Sequence, residues 1–349
     1  MPLPVGTPAP DFRAPTHRRL DFLFSSLGGF YVLLAFLPAD RAARDAAMSA
    51  LMAHRPLFDD RTRIAFSVIG EEAYFQTQEM HLPGLRHFLD ADGAIASAYK
   101  IGPEGAWVIL DPGLRLLASF PAAASAACFG QLTQLDNPDV HAGTLISAPV
   151  LVVPRGFEPE VCAELMANHA ALGGRLTGVM REVDGLTVEV HDDFKSRRDV
   201  LVEDEAMKAR LRAMIVARLK PEMAKAFAFI ATRLERYLIA RYDAEEGGHF
   251  QPHRDNTTRG TAHRQFACTI NLNAEAYDGG DLRFPEFGSR TYRAPTGGAI
   301  VFSCSLLHEV TPMTRGARYA FLPFFFNEDG ERLRQQNLRF VRGLDQQAG

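Results

Sequence analysis

The chain has 349 residues, is 47% hydrophobic and 23% charged, and carries a formal net charge of −4. That length is too great for one ordinary core and implies two domains, and the acidic balance argues against nucleic acid or an anionic membrane as a partner. Four widely spaced cysteines, Cys128, Cys162, Cys268 and Cys304, form no CxxC pair and read as reduced thiols rather than a disulfide framework. The N-terminus, MPLPVGTPAPDF, lacks a basic-then-apolar leader pattern. A cytoplasmic protein with no membrane partner is the expectation. The apolar run 30–38, ended by Pro38, is too short to span a bilayer and predicts a buried strand. Residues 43–58 place Ala47, Leu51, Met52 and Phe58 near helical spacing and predict a helix. Residues 63–70 form a second run of strand length. Residues 85–101 read as a helix after a turn at Asp92–Gly93. The runs 106–111 and 114–120, around Pro112–Gly113, predict a hairpin. Strands alternating with helices and closed by a hairpin predict an α/β domain over residues 1–140.

The stretches GTPAPDF (6–12), GGFYVLLAFLPAD (28–40) and WVILDPGLRL (107–116) resemble peroxiredoxins, which implies a thioredoxin-like fold. Where that family carries its peroxide-attacking cysteine and a nearby threonine, this chain has Asp45 and Ala42; the family's arginine position holds Gly105. A carboxylate cannot replace a thiolate nucleophile. The domain is therefore expected to be redox-inactive, with homodimerisation or partner recognition as its role. A thiol peroxidase acting through Cys128 is the disfavoured alternative, because an Ala-rich segment offers that thiol no activating cation.

A short helix near 122–135 precedes the crossing into the second domain, residues 141–349. There a strand, a turn and a helix with Pro159 in its first turn follow; Val161, Cys162, Leu165 and Met166 make the helix's apolar face. Residues 202–229 are helical by spacing, with a break at Pro221. From Tyr237 onward, short strands alternate with turn signals, and an antiparallel series after helices predicts a double-stranded β-helix, or jelly roll.

Within that series lie FQPHRDN (250–256) and FSCSLLHEVTPMTRGARYAF (302–321). His253 and Asp255 are two apart, so on an extended segment both side chains point the same way. His308 ends a later apolar strand, and Arg318 falls on the strand after it. Two imidazoles and one carboxylate can hold a ferrous ion on one face and leave the opposite face open. A guanidinium nearby can grip a carboxylate of a co-substrate through two parallel hydrogen bonds.

RYDAEEGGHFQPHRDN (241–256), INLNAEAYDGGDLRF (270–284), PTGGAIVF (295–302) and LHEVTPMTRGARYAF (307–321) resemble the 2-oxoglutarate/iron(II) dioxygenases of the prolyl-4-hydroxylase type. The resemblance implies that His253, Asp255 and His308 bind Fe(II), that Arg318 binds the distal carboxylate of 2-oxoglutarate, and that Tyr242 contacts the same molecule. A half-buried barrel tyrosine is the competing reading of Tyr242. The implied reaction consumes 2-oxoglutarate and dioxygen, with ascorbate as a candidate auxiliary reductant. It releases succinate and carbon dioxide and hydroxylates an unactivated C–H bond. The substrate is a protein side chain, proline being one candidate, or a small molecule. A non-enzymatic scaffold or an oxygen- or iron-sensing binding protein is the alternative of another class.

Further residues carry two readings each. Arg254, Arg259, His263 and Arg264 form either an anion-binding rim or, more simply, a solvated loop. Lys195, Arg197 and Arg198 either line a substrate channel or pair with Asp192 and Asp193. Asn271 and Asn273 make one face of a strand polar, which suits a cavity wall. Cys268 and Cys304 read as core residues.

Overall fold

The computed structural model describes residues 3–79 and 82–341; Met1, Pro2 and residues 342–349 of the stretches read above lie outside them. The chain divides into two units, Met1–Ala148 with Pro285–Ser289, and Pro149–Phe284 with Arg290–Gly349. No helix among the described residues is long and apolar enough to cross a membrane.

In the first unit, strand Tyr31–Phe36 is buried along its whole length. It pairs in parallel with Arg63–Ile69, which pairs in parallel with Leu85–Leu89; on its other side Ala106–Leu110 and then Leu116–Pro121 run antiparallel. Both faces of this sheet are covered, which is why its strands read as unbroken apolar runs rather than alternating ones. Val32, Leu34 and Phe36 pack with Phe66, Phe88 and Tyr99 on one face. Leu33 and Ala35 pack with Leu51, Trp107 and Phe129 on the other. Asp40 caps helix Arg41–Ala53 by accepting from the Ala43 amide at 2.9 Å. The predicted helix over 85–101 is corrected. Leu85–Leu89 is a strand, because its apolar residues complete the sheet edge. Only Ala94–Ala98 is helical, and the Asp90 carboxylate starts that turn by accepting from the amides of Ile95 and Ala96, each at 2.9 Å.

Cys128 sits on helix Ser125–Thr133 with no exposed surface, and burial pushes its thiol up to about 12. All four cysteines are buried, and burial raises each thiol. A thiolate nucleophile has no support here.

The same unit holds a buried histidine. His87 is 2% exposed and lies 2.6 Å from the Ser67 hydroxyl. Burial, then the neighbouring His17, pushes it down to about 4. An unfolded-chain histidine titrates near ~6.5, so between about pH 4 and 6.5 the unfolded chain binds more protons and stability rises with pH. The contribution is complete above that window and corresponds to about 3 kcal/mol. Trp107 is the chain's single tryptophan and reports on this unit alone. Its fluorescence is expected to show a lower urea midpoint at pH 5 than at pH 7, and His87→Gln is expected to flatten that slope. A wild-type midpoint that does not move with pH would contradict the assignment.

In the second unit, a large sheet runs in the order Arg233–Glu235, Phe324–Phe326, Phe266–Asn271, Ala317–Phe321, Leu238–Asp243, Arg198–Leu201, Arg175–Leu176. Strands Ala299–Ser303 and Leu151–Val153 extend it beside Phe266–Asn271. A smaller sheet orders Lys195–Ser196, His249–His253, His308–Val310, Leu282–Arg283 and Thr291–Tyr292. The pairings are antiparallel throughout, as the jelly-roll expectation requires. Helices Pro159–Leu172, Glu205–Arg218 and Lys220–Phe227 cover one face of the large sheet. Leu165, Leu211, Ile215 and Met223 pack there on Ile239, Cys268, Ile270 and Phe321. Pro221 begins the third helix and separates it from the second. Because strand side chains alternate, the residues between those core positions turn to the opposite face, toward the small sheet. Tyr242, Thr269 and Arg318 are placed there. Phe284 and Phe302 join the two sheets, with ring centroids 5.0 Å apart.

Candidate active site

The small sheet brings the two histidines side by side: His253 and His308 are register partners on neighbouring antiparallel strands. His253 ends its strand, and the chain turns so that Asp255 points back between the rings. The Asp255 amide donates to the Cys304 carbonyl at 3.0 Å, which pins that turn. Asp255 Oδ1 lies 3.6 Å from His253 Nε2, and Oδ2 lies 3.3 Å from His308 Nε2. One ligand atom from each of the three residues falls within 4.8 Å of the others.

The tautomers follow from the second ring nitrogens. His253 Nδ1 is 2.7 Å from the Gln251 carbonyl, and His308 Nδ1 is 3.0 Å from the Leu306 carbonyl. A carbonyl only accepts, so each Nδ1 donates to backbone and each Nε2 is the nitrogen left facing the carboxylate. Metal-binding histidines are oriented in this way. Burial, then the charge of His308, pushes His253 down to about 4. Burial raises Asp255, but His308 and His253 outweigh it and hold the carboxyl well below the usual range. Neutral imidazole beside ionised carboxylate is the donor set a divalent cation needs. Phe250 stacks on His253 at 3.5 Å between centroids and Phe302 packs edge-on to His308 at 4.6 Å, so apolar rings wall the cluster.

The large sheet supplies the opposite wall. Arg318 and Tyr242 are register partners, each 2% exposed. Arg318 donates to the Gly280 carbonyl and the Thr269 hydroxyl, each at 2.8 Å, and its Cζ lies 5.4 Å from the centre of the Tyr242 ring. These contacts fix the guanidinium plane. Arg197 donates to the Tyr242 hydroxyl at 3.3 Å and pairs with Asp199 at 2.6 Å. Burial disfavours the charge on Arg197, and Asp199 more than restores it.

Other sequence expectations are corrected here. His263 and Arg264 are neither a solvated loop nor an anion rim. Both are buried against Glu235, at 2.8 Å and 2.6 Å, because an interior cation needs a counter-charge. Arg259 pairs with Glu182 at 3.4 Å, and Arg254 donates to the Ser305 carbonyl. Asp192 takes Arg181 at 2.5 Å, not the basic residues that follow it. Lys195 donates to the Gly178 carbonyl at 2.6 Å, Arg197 takes Asp199, and Arg198 takes Glu246 at 2.9 Å. Burial, then Arg197, pushes Lys195 down to about 6. Asn271 donates to the Ala294 carbonyl and Asn273 to that of Ala317, so these side chains tie backbone together. Asp199, Thr269, Phe250 and Glu235 escaped the sequence. Thr269 and Glu235 act through partners distant in the chain, Arg318 and Arg264, while Asp199 and Phe250 act through the near neighbours Arg197 and His253.

Residues 237–326 match the model of the 2OG-Fe(II) oxygenase superfamily, and the C-terminal unit thus carries a domain of that kind. The matched range contains all five residues singled out above. A PKHD-type hydroxylase of Verminephrobacter eiseniae is 31% identical over 153 residues, 42% of this chain and 66% of the relative. A second, from Paracoccus denitrificans, is 33% identical over 150 residues, 40% of this chain and 64% of the relative. The chain thus spans just under two thirds of the length of these relatives. A solved prolyl-4-hydroxylase of Pseudomonas putida covers 54% of this chain with 96% of its own, at 19% identity and a TM-score of 0.40. The family and the His-Asp-His cluster imply Fe(II) and 2-oxoglutarate as cofactor and co-substrate.

Proposed function

We propose that this chain, whose C-terminal unit carries a 2OG-Fe(II) oxygenase domain, is an Fe(II)- and 2-oxoglutarate-dependent dioxygenase that hydroxylates a protein side chain or a small molecule. The observation that carries this is the pair of imidazoles that spend Nδ1 on backbone carbonyls and aim Nε2 at one ionised carboxylate. His253, Asp255 and His308 would hold the iron. Bound iron supplies the redox chemistry by which dioxygen and 2-oxoglutarate become succinate, carbon dioxide and a hydroxylated product.

The chain's own residues do the rest. Arg318 takes the distal carboxylate of 2-oxoglutarate, Thr269 and Gly280 hold the guanidinium, and Arg197 fixes the Tyr242 hydroxyl beside it. Phe250 and Phe302 keep water from the imidazoles. Hydroxylation of a protein side chain is favoured by an open groove of about 310 Å³ along His249, Phe250, Gln251, Glu309, Val310 and Pro312. Its walls come from the two strands that carry His253 and His308, and a segment of another protein would lie along them. Proline is the first side chain to test, since similar proteins include a prolyl-4-hydroxylase.

The first unit is proposed to be a thioredoxin-like module without redox chemistry that makes the chain a homodimer. Its mixed five-stranded sheet and its one thiol, the buried Cys128, support the reading without redox chemistry; a full-length chain that sediments as a monomer at high concentration would end the dimer proposal. The function itself is tested by succinate release from 2-oxoglutarate with ferrous iron and ascorbate, with proline-containing peptides and free amino acids as substrates. Turnover is expected. Peroxide consumption in its place would favour the thiol peroxidase.

A further inference from the structure

Arg318 is a buried cation with no carboxylate partner among the described residues; its hydrogen bonds go to a carbonyl and a hydroxyl, and its Nε is buried with no acceptor. A second buried donor lacks an acceptor nearby. The Tyr277 side chain is 1% exposed, and its hydroxyl has no hydrogen-bond partner. The segment from Tyr277 to Gly280 lies against Arg318. The Gly280 carbonyl accepts from the guanidinium, and a Cβ built on Gly280 would stand 3.5 Å from Arg318 Cδ. A Cβ built on Gly316, two residues before Arg318, would stand 3.6 Å from Tyr277 Cα. Arg293 lies 4.2 Å from the centre of the Tyr277 ring and fixes the ring plane. Burial raises the hydroxyl's titration, while Arg318 is the strongest charge pulling the other way. The hydroxyl is therefore protonated at neutral pH and has a proton to donate.

A buried donor left unmet keeps the full cost of its lost hydration, and two stand here. A neutral ligand could meet the donors but not the charge. A carboxylate does both, because its two oxygens offer about four acceptor sites. We propose that the Tyr277 hydroxyl is a further ligand of the co-substrate, donating to the same distal carboxylate of 2-oxoglutarate that Arg318 binds. This rests on the function proposed above. The Tyr242 hydroxyl accepts from Arg197, which leaves its own proton free to donate, so Tyr277 would add a donor rather than replace that one.

Tyr277→Phe removes only the hydroxyl and keeps the ring beneath Arg293. The test is calorimetric titration of the Mn(II)-loaded full chain, free of oxygen, with 2-oxoglutarate and with 2-oxobutyrate, which lacks the distal carboxylate. The variant is expected to bind 2-oxoglutarate about 10-fold more weakly, to bind 2-oxobutyrate like the wild type, and to keep its ligand-free melting temperature. An unchanged 2-oxoglutarate affinity, or an equal loss for both acids, would overturn the proposal and leave the dioxygenase function standing. A wild-type chain that binds manganese but no 2-oxoglutarate would remove the function first, and this inference with it.

Discussion

His308→Ala is expected to lower succinate release from 2-oxoglutarate by more than about 100-fold, because the loss of a direct ligand exceeds the 10–100-fold typical of groups that only orient one. His308 is 4% exposed and its Nε2 lies 3.3 Å from Asp255. Removing it leaves one imidazole and one carboxylate, too few to fix a ferrous ion on one face. The far-ultraviolet circular dichroism and the Trp107 fluorescence should stay as in the wild type, since Trp107 packs in the other unit. Turnover that survived the substitution would contradict the assignment. Lost turnover with a lost fold would trace to the cavity that alanine creates, and His308→Gln, which fills that space without an imidazole, then separates ligand loss from unfolding.

The second large effect falls on co-substrate affinity. Arg318→Ala is expected to raise the half-saturating 2-oxoglutarate concentration by about 100-fold or more. The reasoning is that two charge-assisted hydrogen bonds contribute roughly 1.5–3 kcal/mol each and every 1.4 kcal/mol is about tenfold. Arg318→Lys keeps the charge but loses the two-pronged geometry and should fall between the two. The split between parameters decides the matter. A residue that grips the far end of 2-oxoglutarate changes its KM more than the maximal rate, so much of the lost rate returns at high 2-oxoglutarate. An equal fall in kcat with an unchanged KM would place Arg318 in a structural role through Gly280 and Thr269.

Much of this site could be read from the chain because it is written in strand periodicity. Asp255 is the exception, since it lies in the turn beyond the strand that ends at His253 and not on the extended segment its spacing implies; the apolar strand before His308 and Arg318 on the strand after it are local patterns. They required only that the strands close on one another. What escaped was carried by long-range pairs. Glu235 neutralises Arg264 across 29 positions, and Arg197 reaches the Tyr242 hydroxyl across 45. No spacing rule links such residues, so His263 and Arg264 looked like a charged loop. Strand Leu85–Leu89 was read as helix for a related reason: its short apolar run is ambiguous until the neighbouring strand is known. The hairpin Val179–Val190 was missed although its signal was present, an Asp184–Gly185 turn between alternating apolar residues.

The core of the first unit follows the same physical rule. A buried, fully covered sheet explains why its strands keep their apolar pattern. Asp45 lies on helix Arg41–Ala53, with no cysteine near it in the chain before Cys128.

The convergence of His253, Asp255 and His308 on one cation is the point from which the rest follows. Diffraction from crystals of the full chain soaked in Mn(II), with the anomalous signal used to locate the metal, tests it directly. One site is predicted, bound by Nε2 of both histidines and by the Asp255 carboxylate. A metal bound elsewhere, or an empty cluster at saturating manganese, would contradict the account.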